Sequence, residues 1–214
     1  MGREGPAVRV VIGADAAIAR EGIIRCLGSL ESIEVVAATG EISYLGSYAR
    51  GHDADVVLLA PRPEVAADAS SVTAAIQAIR DSGSGAPVVV LSYVTDAYVA
   101  RQVLHEGATG YVLVWQAIEE LETAIHLAAE RRLYVSPRLG VEIARIDAND
   151  GGLTDREAEI ARLIALGYSN QQIGEELFLS TRTIESHRSR LTHKLGVGDR
   201  RELVSWAIEH HMIP

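Results

Sequence analysis

Five short runs of β-branched and aliphatic residues mark out the first part of the chain: Val8–Gly13, Ile33–Ala38, Asp55–Ala60, Pro87–Ser92 and Gly110–Val114. Each is followed by a stretch with apolar residues at helical intervals: Ala17–Leu30, Ile42–Arg50, Val65–Arg80, Ala97–His105 and Ala117–Arg131. Asp81–Gly85 supplies a Ser/Gly turn. Strict alternation of strand and helix predicts a parallel sheet covered by helices on both faces. Right-handed crossovers then make it a doubly wound, flavodoxin-like (βα)5 domain. Aromatic residues are 5% of the chain against 48% hydrophobic, so its cores are built from Ala, Val, Ile and Leu. That composition suits strands buried on both faces. In such a fold the working crevice lies at the carboxyl ends of the strands. The positions to inspect are therefore Gly13 to Ala16, Ala60 to Pro63, Ser92, and Val114 to Trp115.

After about residue 132 the pattern changes. Residues 133–152 read as a join, with a short helix over Arg138–Arg145 and a polar, glycine-rich linker over Asp147–Gly152. Residues 153–214 read as four helices and a separate all-α domain. Thr154 with Glu157, and Ser169 with Gln172, form capping-box patterns that open the first two helices. Gly167 closes the first, and the second ends near Phe178. Ser180 opens the third, Gly196 closes it, and a fourth starts at Asp199 or Arg200 and runs to about His211. A connector of only Leu179-Ser180 between the second and third helices forces a steep crossing, the helix-turn-helix geometry. Ile173, Leu177 and Leu179 face Ile184, Leu191 and Leu195 inside it. The outward face of the third helix carries Arg182, Glu185, Ser186, Ser189 and Arg190, groups that hydrogen-bond base edges or phosphates.

Charge supports a local nucleic-acid surface. The chain carries −9 overall, but Arg182–Arg201 holds six Lys and Arg against two Asp and Glu. The segment before Leu153 holds 12 against 20, so the basic patch is local and falls on the helix-turn-helix motif.

The run Leu153 to Val197 resembles the LuxR-type helix-turn-helix of the NarL/FixJ response regulators. The family's Leu-Thr-x-Arg-Glu stands at Leu153–Glu157 and its Gly-x-Ser-Asn at Gly167–Asn170. Its Ile-Ala-x-x-Leu appears as Ile173 to Leu177 with Gly174 for Ala, and its Ser-x-x-Thr-Val as Ser180 to Ile184. Its His and its Lys-Leu-Gly stand at His187 and at Lys194–Gly196. The resemblance implies double-stranded DNA as partner, a homodimer, and base contacts from Glu185, Ser186 and Ser189. Many relatives carry lysine where Glu185 stands, so the DNA site read here is expected to differ. Thr183, Arg190 and Lys194 are phosphate-contact candidates, and Asn170 a cap that also touches phosphate. Leu203, Trp206, Ala207 and Ile208 on the last helix are shared between two expectations, the domain's own core and a dimer contact.

The first 130 residues are similar to the receiver domain of the same family, which takes a phosphoryl group on an aspartate at the end of the third strand. Here that position is Ala60. The acidic pair that holds Mg²⁺ is Ala14-Asp15, and the lysine position is Val114, followed by Trp115. Ser92 and the switch aromatic, Tyr111, are kept. A methyl group forms no acyl phosphate, so the expectation is an atypical response regulator without aspartyl phosphorylation and without a tight Mg²⁺ site. Ala14, Ala60, Ser92 and Trp115 then outline an apolar crevice, either fixed in one state or open to a small-molecule ligand or a regulatory protein.

Other function classes find little support. No nucleophile–base pair, glycine-rich phosphate loop or metal-ligand cluster is visible, so no enzyme, cofactor or metal is expected. No run of 18 apolar residues predicts a membrane span, and Met1–Ala7 has no signal-peptide core. The single cysteine, Cys26, fits a reducing cytoplasm.

Overall fold

Every strand of the sheet runs parallel to its neighbours, in the order β2-β1-β3-β4-β5-β6. The computed structural model describes residues 6–67, 69–149, 153–210 and 212–213. It divides into two units, Met1–Gly140 and Val141–Pro214.

In the first unit the strands are β1 (Val8–Gly13), β2 (Ile33–Thr39), β3 (Val56–Leu59), β4 (Val88–Ser92), β5 (Gly110–Leu113) and β6 (Tyr134–Val135). The helices are α1 (Ala17–Leu27), α2 (Leu45–Gly51) after a 3₁₀ turn at Ile42–Tyr44, α3 (Pro63–Ala66), α4 (Ala69–Asp81), α5 (Ala97–His105) and α6 (Ile118–Ala129). Because side chains alternate along a strand, each strand feeds two cores. Ile12, Leu58, Leu91 and Val112 pack with Leu27 of α1 and Leu121 and Ile125 of α6. Val11, Val57, Val90 and Tyr111 are as fully buried on the opposite face. Each such side chain contributes about 1.5–3 kcal/mol by leaving water, which is why apolar runs this short commit to strands.

Two features depart from the sequence expectation. The long helix expected over Val65–Arg80 is two, α3 and α4. A sixth strand, β6, pairs with β5 through Gly110↔Tyr134 and Tyr111↔Val135. Gly110 lets β5 pack tightly on β4, since a Cβ there would lie 3.2 Å from the Val89 side chain. Behind β6 the buried Ser136 hydroxyl accepts from the Leu113 amide at 3.2 Å. The chain then enters α7 (Pro137–Asn149), so most of the stretch expected as a linker is helical. Asp150–Gly152 lie outside the described residues.

The second unit holds α8 (Asp155–Ala165), α9 (Asn170–Glu176), α10 (Thr181–Leu195) and α11 (Arg200–Glu209). Ile160, Ile164, Ile173, Ile184, Leu191 and Leu203 form its buried centre. Both capping boxes are present, on Thr154/Glu157 and Ser169/Gln172. Gly196 ends α10 in the left-handed conformation, φ 68°. The helix-turn-helix connector is longer than the expected pair: α9 stops at Glu176, and Leu177–Ser180 make the turn. Phe178 carries the reversal at φ 54°. The turn closes on Gly174, whose carbonyl accepts from the Leu179 amide at 2.8 Å. A Cβ at Gly174 would sit 2.7 Å from the Leu179 carbonyl oxygen.

Candidate nucleic-acid interface and the altered acceptor site

The exposed face of α10 is built by helical arithmetic. Ile184 and Leu191 are fully buried, and half a turn away Arg182, Glu185, Ser186, Ser189 and Arg190 are all exposed. His193 shares that face, eleven positions after Arg182 and four after Ser189, and the sequence reading missed it. The helix start is fixed by Ser180, whose hydroxyl accepts from the Thr183 amide at 3.1 Å and lies 2.7 Å from the Thr183 hydroxyl. Asn170 and Arg188 meet beside this face, the guanidinium donating to the Asn170 carbonyl oxygen at 3.4 Å. With Ser189, Thr192 and Arg200 they line a shallow cleft.

Residues at the start of the domain hold both helices of this motif. Arg156 donates to the Leu177 carbonyl at the end of α9, 2.7 Å away. Glu157 takes the Lys194 ammonium at 2.8 Å near the end of α10. That hydrogen bond, with the Thr154 amide next, holds the Glu157 carboxyl below its ordinary range. Lys194, a phosphate-contact candidate, has its ammonium engaged by Glu157, a partner 37 positions away that spacing does not reveal. On α11, Leu203 and Ala207 belong to the core. Trp206 stacks on His210 at 4.1 Å, and Ile208 is exposed.

In the first unit the strand ends converge as the fold requires. Ala60 follows β3, and its amide donates to the Gly13 carbonyl at 2.7 Å. Asp15, the remaining carboxylate, is taken by the Arg62 guanidinium at 2.6 Å. The second acidic position is the sealed Ala14, 0% exposed. Ser92 is fully buried, and its hydroxyl accepts from the Val94 amide at 3.0 Å. The Tyr111 hydroxyl donates to the Val94 carbonyl at 3.1 Å, and burial pushes its phenol up to about 12. Ser92 and Tyr111 thus grip one loop from two sides.

The apolar crevice is not bounded as expected. β5 ends at Leu113, and a turn closed by the Gln116 amide on the Leu113 carbonyl carries Trp115 outward, 57% exposed. Ala14 and Ser92 are sealed. The hollow that exists has a volume of about 410 Å³ and lies beside them, between α1 and the start of α6. Of the expected crevice residues Ala60 lines it, together with Val114.

Comparison with known proteins fits this geometry. Residues 152–207 match the family model described as bacterial regulatory proteins, luxR family. The second unit is a LuxR-type helix-turn-helix domain. The whole chain is 28% identical to the oxygen regulatory protein NreC of Staphylococcus carnosus, over 96% of this chain and 99% of that one. Identity to NreC of Staphylococcus aureus is also 28%, over 96% and 99%. Among solved structures, the response regulator RcsB of Salmonella typhimurium covers 95% of this chain and 99% of its own at TM-score 0.59 and 22% identity. An RcsB–DNA complex covers 94% and 98% at TM-score 0.59 and 23% identity. Over its whole length the chain is similar to regulatory proteins of this kind, and the structural likeness to RcsB shows the shared fold. The LuxR-type domain and the parallel-sheet receiver fold stand as the sequence implied them.

Proposed function

We propose that this protein is a transcription regulator that binds double-stranded DNA as a homodimer through α10 and is not controlled by aspartyl phosphorylation. Ala60 carries the second half of this reading: the acceptor position has no side-chain oxygen, and the Asp15 carboxylate is committed to Arg62. The DNA-binding half rests on the exposed Arg182–Arg190 face of a LuxR-type domain. RcsB, a structural relative, is described both in complex with DNA and as dimers bound to DNA. Arg182 and Arg190 supply phosphate contacts with Thr183 and Asn170, and Glu185, Ser186 and Ser189 read bases. Trp206 and Ile208 are the part of α11 left for a dimer contact.

The test is binding of the untreated full-length protein to DNA from upstream of its own gene, across a salt series. The expected result is specific binding that weakens steeply with salt, because phosphate contacts release counterions. Arg190→Ala is expected to weaken binding to all sequences alike and reduce the salt slope by about 1. Salt-insensitive or absent binding by both the full chain and the isolated second unit would sink the reading.

A further inference from the structure

We infer that the cavity between α1 and α6 is a binding site for a neutral, mainly apolar small molecule of two or three rings, and that this ligand takes the place of phosphate as the input. The inference rests on the reading that the acceptor site is chemically silent. The cavity opens onto that site: Ala60 and Val114, the positions of the phosphoacceptor and the lysine, both line it. Where relatives present charge, this chain presents a methyl and an isopropyl group. Leu91, Val112 and Leu121 provide an apolar floor, continuous with the core of that face.

Small residues make the space. α1 turns Ala19, Gly22 and Cys26 toward the hollow, and Ala117 stands opposite at the entry to α6. A Cβ built on Gly22 would meet nothing within 4 Å. A volume of about 410 Å³ falls within the range of small-molecule pockets, roughly 300–1,000 Å³. It is well over twice the roughly 150 Å³ that holds a single benzene ring, hence two or three rings. Charge argues for a neutral occupant. Arg62 is the charged group among the described lining residues, and Asp15 already pairs with it at 2.6 Å. The site also has a route outward. Tyr93 lines the cavity and directly precedes Val94, the residue that Ser92 and Tyr111 both hold. An occupant pressing on Tyr93 shifts the segment that a phosphoryl group would pull on.

The experiment uses the full-length protein and N-phenyl-1-naphthylamine, a neutral three-ring fluorophore that brightens in apolar surroundings, with no DNA or phosphodonor present. It therefore stands or falls separately from the phosphorylation reading. Expected is saturable binding of one fluorophore per chain, with labelling of Cys26 by a maleimide slowed several-fold when the fluorophore is bound. Ala19→Phe is expected to fill the cavity and weaken binding at least tenfold. Gly22→Leu, which meets no atom at its Cβ, is the second filling variant should Ala19→Phe disturb folding. Three results would overturn the proposal: non-saturable binding, equal binding by a folded filled variant, or unchanged Cys26 labelling. So would a dimer, seen by sedimentation, that Gly22→Leu disperses and that excludes the fluorophore, since the occupant would then be a second copy.

Discussion

Glu185 is proposed above to read a base, and its chemistry there differs from that of lysine. It is exposed on the face of α10 that carries Arg182 and Ser189. A carboxylate accepts hydrogen bonds only, so it pairs with the cytosine amino group and cannot donate to guanine as lysine does. Glu185→Lys is expected to exchange the preferred base at one position of the site and to cost the original site about 1–3 kcal/mol. Selection from a randomised DNA library by the two proteins checks this; identical preferences would show that Glu185 does not read bases. The candidate residues of this face were legible because helical spacing alone sorts Arg182, Glu185 and Ser189 from Ile184 and Leu191. Lys194 was not, because Glu157 reaches it through the tertiary fold. Trp115 was misplaced for a similar reason: the turn after Leu113 aims it into solvent.

At the scale of elements, the helix-turn-helix is set by caps and by one strained turn. Ser169, Ser180 and Asp199 each accept from an amide in the first turn of their helix, satisfying groups that would otherwise lack partners. Phe178 is different. It is 88% exposed and held at φ 54°, where a side chain with a Cβ costs about 1 kcal/mol. Phe178→Gly removes that cost and sacrifices almost no burial. The variant is expected to stabilise the second unit by about 1 kcal/mol, raising its thermal midpoint by about 4–8 °C. A lowered midpoint in thermal unfolding would mean that Phe178 packs rather than strains. Most elements were readable because their apolar period was long enough to count. β6 was not, since Tyr134-Val135 is too short to show alternation, and only the fold shows that it pairs with β5. The break between α3 and α4 was hidden by a run of alanine that suits helix throughout.

At the scale of the molecule, the proposal of a regulator without aspartyl phosphorylation rests on what stands at the strand ends of the first unit. Ser92 and Tyr111 hold the Val94 loop, and Ala14, Ala60 and Val114 place hydrocarbon beside it. The cavity beside them could not be read from sequence, because it arises where small residues of α1 meet the start of α6, about a hundred positions apart. Two phenols give this unit a pH signature. Burial first, and for Tyr134 the Glu120 carboxylate as well, push both Tyr111 and Tyr134 up to about 12. An unfolded tyrosine loses its proton near pH 10. Between pH 10 and about 12 the unfolded chain therefore binds fewer protons than the folded one, and stability falls as pH rises. Denaturant unfolding of the first unit is expected to show full stability below pH 10 and a decline above it, made shallower by Tyr111→Phe; an equal decline in that variant would assign the effect elsewhere.

If this protein works without a phosphoryl group, as proposed, a phosphodonor leaves it unchanged. Full-length protein is incubated with labelled acetyl phosphate and Mg²⁺, and both incorporation of label and affinity for its own upstream DNA are measured. No label on the protein and the same affinity with and without the donor are expected. Label held on any carboxylate of the first unit, together with a changed affinity, would contradict it.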